Sequence, residues 1–297
     1  MKLTWLPDAE RRTRRIAIGT FDGVHLGHRE VIAGADTVLT FDPHPTQVVH
    51  PEKAPKLLTS LERKAELVAG LGVQELVVIP FDGAFAAQSA QEFVDHVLVE
   101  RLGAEQVSVG DNFHFGAKAK GTAQMLVEDG RFQARICELL EVDGAAVSST
   151  RIRELLTTEG DVASAAKLLG SPFKLSGTVV HGDKRGRELG YPTANLVPDE
   201  RFVTPAHGIY ACRTGQGRAA AVSIGLRPTF QTGRGVLIEA YVLDFDGDLY
   251  GQEISLTFVE RLRGEERFDG IEPLIAQMQR DVDATRTAVP VGAGSEA

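Results

Sequence analysis

The chain has 297 residues, 43% of them hydrophobic, enough apolar material for two ordinary domains with separate cores. Its 32 Lys and Arg against 41 Asp and Glu give a formal charge of −9, divided as 18 basic and 24 acidic residues up to Gly170 and 14 and 17 beyond it, so neither half is basic overall and a nucleic-acid partner, which requires a cationic face, is disfavoured, leaving room only for a local patch. Cys137 and Cys212 are far apart without C-x-x-C spacing, 18 uncharged apolar residues never follow one another, and no signal-peptide run precedes Arg15; the expectation is a cytoplasmic protein with no disulfide scaffold, structural zinc or membrane contact.

In chain order, short apolar runs appear at Ile16 to Ile18, Val38 to Phe41, Leu76 to Ile79 and Val107 to Val109, separated by segments of helical spacing such as Ser60 to Gly70 and Ala90 to Arg101. This alternation predicts an α/β domain with a parallel sheet. Helical stretches follow at Arg151 to Leu156 and Asp161 to Leu169, the second closed by Gly170 and Pro172, which places the domain boundary between residues 1–170 and 171–297. The pattern then changes to short β runs at Lys174 to Val180, Gly208 to Arg213, Ala219 to Ile224, Val236 to Leu243 and Glu253 to Phe258, the signature of a small antiparallel β-barrel. Glu272 to Thr285 reads as a C-terminal helix with Leu274, Ile275 and Met278 on one face, and the small polar tail from Val289 to Ala297 is expected to be disordered.

Two constellations carry chemistry. The first is the turn from Gly19 to His28, which follows a predicted strand and enters a helix. Its candidate phosphate-binding residues are Gly19, Phe21, Asp22, Gly23 and Gly27, because a glycine-rich strand-to-helix turn lets backbone N–H groups approach a phosphate. His25 and His28, three apart, lie on one side of the helix start and can donate to a triphosphate. Thr40 to Pro45, Gly110 to Gly116 with Asn112, and Ser148 to Arg153 each follow a strand or open a helix, the edge of an α/β sheet where ligands bind. Ser149 and Thr150 can cap that last helix, and Arg153 offers a planar fork to phosphate oxygens. Taken singly, the same residues read as surface histidines beside a turn and a capped amphipathic helix.

The second constellation runs from Gly177 to Asn195. Gly177, Gly182, Gly186 and Gly190 let the backbone pass close to a ligand, although a glycine-rich turn in a barrel is often only a turn, and the pattern is neither a Walker loop nor a dinucleotide fingerprint. Thr193 and Asn195, two apart in an extended segment, can offer two neutral oxygens to Mg²⁺ or a similar divalent cation. Glu239 is a lone acid in an apolar strand, either a carboxylate facing water at a strand edge or a group with a chemical purpose.

The first part, Ile16 to Gly170, resembles the HxGH nucleotidyltransferase lobe of the bacterial bifunctional riboflavin kinase/FAD synthetase family, with the four segments in the family's order. The resemblance implies that His25 and His28 contact the ATP phosphates, Asn112 lies against the nucleotide, and Ser149, Thr150 and Arg153 hold the departing pyrophosphate. It implies direct attack of the FMN phosphate on the α-phosphorus of ATP, with Mg²⁺ sharing the charge and no covalent enzyme intermediate. Pro172 to Asp283 is similar to the riboflavin kinase domain of the same family, through the run Pro192-Thr193-Ala194-Asn195 and the run from Leu243 to Gly251. This implies Thr193 and Asn195 as ligands of Mg²⁺-ATP, Glu239 as the base for the ribityl hydroxyl, and a glycine loop over the phosphates. The substrates implied are riboflavin, FMN and ATP.

Three departures stand out. Only eleven residues, Arg29 to Leu39, separate His28 from Thr40, where the family has a longer segment, so at most two helical turns fit before the second strand. Ser223 and Tyr241 replace residues that are often Asn and His. A riboflavin kinase with a degenerate first lobe is the alternative that the short segment raises, and a non-catalytic flavin- or nucleotide-binding regulator is the alternative from another class.

Overall fold

The computed structural model describes residues 1–181, 191–226 and 236–290. The chain divides into two compact units, Met1–Ser149 and Thr150–Ala297.

The first unit is built on six strands, β1 (Lys2–Trp5), β2 (Arg14–Ile18), β3 (Thr37–Asp42), β4 (Glu75–Pro80), β5 (Ala104–Gly110) and β6 (Gln133–Cys137), in the order β1-β4-β3-β2-β5-β6 with every pairing parallel. Alternate residues of the central strands bury on opposite faces. Ile16, Ile18, Leu39, Val77 and Val107 join one core, and Ala17, Val38, Leu76 and Val78 join the other. Burial on both faces is why these strands read as unbroken apolar runs. Strands β1 and β6 escape sequence reading because they are edge strands with mixed polar composition. Edge strand β1 is tied to β4 by Thr4, whose hydroxyl donates to Glu75 at 2.9 Å.

The β2-to-β3 crossover is made by α1 (Leu26–Ile32), a seven-residue helix that buries Val31 and Ile32 against Ala17, Val38 and Leu76. The expected limit of two helical turns therefore holds. The end of this helix is secured from β6, where one guanidinium nitrogen of Arg135 lies 3.0, 3.0 and 2.7 Å from the carbonyl oxygens of Glu30, Val31 and Ala33. Helix α2 (Leu61–Ala69) begins at Ser60, whose hydroxyl accepts from the Arg63 N–H at 3.1 Å.

The second unit contains a closed barrel of β7 (Lys174–Val180), β8 (Ala194–Pro198), β9 (Gly208–Thr214), β10 (Ala219–Leu226), β11 (Val236–Val242) and β12 (Glu253–Arg263), in the order β7-β8-β11-β10-β9-β12 with antiparallel pairings. Helix α3 (Ser149–Glu154) continues in wider turns from Leu155 to Glu159, and α4 (Val162–Leu169) follows. The Ala206 N–H donates to the Leu156 carbonyl at 2.8 Å and Arg261 to the Glu159 carbonyl at 2.9 Å. Those bonds pack the segment after Ser149 with the barrel, so the division by packing falls ahead of the sequence boundary at Gly170.

The C-terminal helix α5 (Ile271–Ala288) exceeds its predicted range. Leu274, Ile275 and Met278 are half-buried, whereas the deepest contacts come from Val282, Thr285 and Val289. Val289 corrects the expectation of a tail disordered from that residue onward: it is fully buried and its N–H donates to Thr285 at 2.9 Å. Residues 291–297 of that tail lie outside the described residues.

Candidate active sites

Strand order places β2 between β3 and β5, so the chain reverses direction across the sheet at β2, and the turns leaving β2 and β5 lie side by side at the carboxyl ends of the strands. In open α/β sheets this switch point is where ligands bind. The turn after β2 holds His25 as the residue preceding α1. Its Nδ1 accepts from the His28 N–H at 3.2 Å, so the proton of the neutral ring sits on Nε2. The two imidazoles stack with centroids 3.5 Å apart and planes 16° apart, and Phe21 meets His28 edge-on at 5.3 Å. His25 is buried and His28 half-buried, which brings both rings to one place at the rim of the sheet.

Around them the expected phosphate-binding residues play distinguishable parts. Gly23 has φ of 88°, a conformation that favours glycine, and a Cβ on Gly19 would stand 3.0 Å from the Phe21 ring. The Asp22 carboxylate points inward and accepts from the Leu58 N–H at 2.9 Å and the Thr59 N–H at 3.1 Å. Ser149 donates from Oγ to the Asp22 carbonyl at 2.9 Å. Gly27 packs near the His25 ring, where an added Cβ would stand at 3.4 Å. Asn112 is exposed on the turn after β5, its carbonyl 2.9 Å from His114 Nδ1. Thr150 and Arg153 lie on α3 in the second unit, the first exposed and the second half-buried.

Sequence reading passed over a row of phenylalanines in the first unit. Centroids of Phe41 and Phe81 are 5.7 Å apart, Phe81 and Phe85 5.6 Å, Phe93 and Phe115 5.4 Å, and Phe113 and Phe115 5.5 Å. Phe41, Phe81 and Phe113 are half-buried and lie at or just past the carboxyl ends of β3, β4 and β5. The signal available beforehand was that position, one aromatic at each of three strand ends.

In the barrel, Asn195 of β8 pairs with Glu239 of β11, and Glu239 pairs in turn with Ser223 of β10, so one rung carries all three. Asn195 is 6% exposed, and its Oδ1 has no hydrogen-bond partner among the described residues. A buried amide oxygen without a protein donor is costly unless a ligand completes it, and a neutral oxygen of this kind suits a hard divalent cation. Thr193 is half-buried two residues ahead, and Glu239 is half-buried. The structure gives Gly177 a packing reason for being glycine: a Cβ there would stand 3.0 Å from the Val197 carbonyl oxygen of the neighbouring strand. The other expected phosphate-loop glycines, Gly182, Gly186 and Gly190, lie outside the described residues.

Similarity to known proteins follows the same division. A family model described as FAD synthetase matches residues 8–151, and one described as riboflavin kinase matches residues 169–289. A bifunctional riboflavin kinase/FMN adenylyltransferase of Listeria monocytogenes is 41% identical over 91% of this chain and 91% of its own length. The corresponding protein of Escherichia coli is 38% identical over 90% of each. A crystal structure of a macrolide-efflux protein from Streptococcus pneumoniae matches 96% of this chain and 99% of that one, with a TM-score of 0.87 at 30% identity. Among the described residues no helix is long and apolar enough to cross a membrane.

Proposed function

We propose that in this chain, a member of the bifunctional riboflavin kinase/FMN adenylyltransferase family, FMN is formed on the barrel around Asn195 and Glu239 and FAD is formed at the sheet edge around His25 and His28. The chain phosphorylates riboflavin and adenylylates FMN, with ATP as co-substrate of both reactions. The observation that carries the kinase assignment is the buried Asn195 Oδ1 beside Glu239.

On the barrel, Glu239 is the general base that takes the proton of the ribityl 5′-hydroxyl as its oxygen attacks the γ-phosphorus of ATP. Thr193 and Asn195 are the residues that would hold Mg²⁺, which when bound shares the negative charge of the ATP phosphates.

At the sheet edge, His25 donates through Nε2–H, and His28 stacks on it, so that both rings meet the charge that develops on ATP as the FMN phosphate attacks the α-phosphorus and pyrophosphate departs. No side chain serves as nucleophile; positioning and electrostatics supply the acceleration. Gly19 and Gly23 bring the turn close to the phosphates, with Asp22 and Ser149 fixing its shape, and Asn112 faces the nucleotide from the next turn. Thr150 and Arg153 are assigned to pyrophosphate, Arg153 through its bidentate fork. The phenylalanines at the strand ends suit the flat apolar ring system of a flavin, because aromatic rings stack or meet it edge-on.

A time course of riboflavin, FMN and FAD by HPLC, with full-length protein, ATP and Mg²⁺, tests the whole reading. FMN should rise first and FAD follow. FMN accumulating with no FAD would sink the assignment of the sheet edge and leave the kinase assignment standing.

A further inference from the structure

Beneath the histidine-bearing turn lies a cation that neither reaction above employs. Lys64 projects from α2 and is 8% exposed. Its Nζ donates to the Thr20 carbonyl at 2.7 Å and to the Thr40 hydroxyl at 3.1 Å, and the same hydroxyl donates to the Thr20 carbonyl at 3.1 Å. One ammonium therefore joins the turn after β2, strand β3 and helix α2. Lysine is seldom buried without compensation. Burial draws its pKa from 10.5 down to about 8, against the opposing charges of Asp22 and Asp42, so the ammonium form still predominates at neutral pH.

The turn it grips is one that the backbone resists. Phe21 and Val24 have φ of 47° and 43°, left-handed values that are disfavoured for residues with a Cβ and persist where surrounding contacts impose them. Most of the fixings are on the helix side of the turn: Asp22 is bound by Leu58 and Thr59, and the Gly23 N–H donates to the Thr59 hydroxyl at 3.1 Å. Lys64 fixes the strand side, at the residue just before Phe21.

We infer that Lys64 is a positioning residue for adenylyl transfer, its ammonium holding the Thr20–Phe21 peptide so that the Phe21 ring and the stacked His25 and His28 face the ATP phosphates. The inference rests on the reading of this turn as the ATP site. A misplacement of about 1 Å in a catalytic group can lower a rate by about 10²-fold, and Lys64 sets the position of the residue whose ring meets His28.

The test uses full-length Lys64→Met and Thr40→Val, singly and together, with both activities measured in each. For FAD formation, Lys64→Met should raise KM for ATP and lower kcat, reducing kcat/KM about 10- to 100-fold, while KM for FMN stays within about twofold. FMN formation from riboflavin should be unchanged, which controls for folding of the second unit. Thr40→Val should move the same parameters less, and the double variant should be no worse than Lys64→Met, because both act through one carbonyl. A fall in active fraction with wild-type KM for ATP means that Lys64 only stabilises the fold and overturns the inference. If Lys64→Met fails to fold its first unit, Thr40→Val decides: a raised KM for ATP supports the positioning role and an unchanged one overturns it. Wild-type protein that makes no FAD, or His28→Ala protein that makes it at the wild-type rate, removes the site reading itself and the inference with it.

Discussion

Asn195 and Glu239 stand opposite each other on neighbouring barrel strands, and the asparagine presents a buried Oδ1 that no donor among the described residues satisfies. A polar atom buried in that way destabilises the fold unless something binds it. Replacement by the nearly isosteric Asn195→Leu removes the penalty together with any cation ligand. The expected outcome is loss of FMN formation, with thermal stability unchanged or raised. A marked drop in the melting temperature would show that the amide holds the barrel together, contrary to the metal assignment.

The two reactions should separate by mutation. Glu239→Gln keeps the shape of the side chain and removes the base, so FMN formation should fall by about 10²–10⁴-fold while FMN supplied externally is still converted to FAD. His28→Ala should do the reverse, with a loss of about 2–4 kcal/mol in transition-state stabilisation of FAD formation, by comparison with removal of an oxyanion donor. Equal loss of both activities in either variant would mean that the residues do not belong to separate sites.

Arg135→Ala removes the group that meets the last carbonyls of α1 from across the sheet. Charge-assisted bonds of this kind contribute about 1.5–3 kcal/mol. Denaturant titration should show the first unit less stable by roughly that amount, with FAD formation more sensitive to mild denaturant than FMN formation. An unchanged midpoint would indicate that the short crossover is held by Val31 and Ile32 alone.

Lys64 also sets a pH dependence of stability. Its pKa is about 8 when folded against 10.5 for the ordinary side chain, so between those values the unfolded chain binds more protons. Folding is penalised by the buried charge below pH 8, and the penalty is relieved as the pH rises toward 10.5. The wild type should therefore gain stability relative to Lys64→Met over that interval. A stability difference that stays flat between pH 7.5 and 10.5 in paired denaturant titrations would contradict burial of a titrating amine.

The sequence by itself determined the two fold classes, and its resemblance to a known family pointed to the two activities. Apolar runs such as Leu76 to Ile79 announce strands buried on both faces, and short β runs broken by glycine and proline announce the barrel, because local periodicity and turn chemistry act within a few residues. His25 and His28 stood out because they lie three apart where a glycine-rich turn enters a helix, and Thr193, Asn195 and Glu239 because they are polar groups in or beside extended segments. Partnerships across long separations were decided by tertiary structure. The bonds of Arg135 to the end of α1, of Lys64 to Thr20 and Thr40, and of Asp22 to Leu58 and Thr59 join residues far apart in the chain. No local pattern encodes them. Strand β1, the phenylalanine row and the buried Val289 were hidden for the same reason: their meaning comes from the neighbours that folding supplies. The shortened crossover is where the two levels meet, since its length is written in eleven residues and its end is met by an arginine more than a hundred positions away.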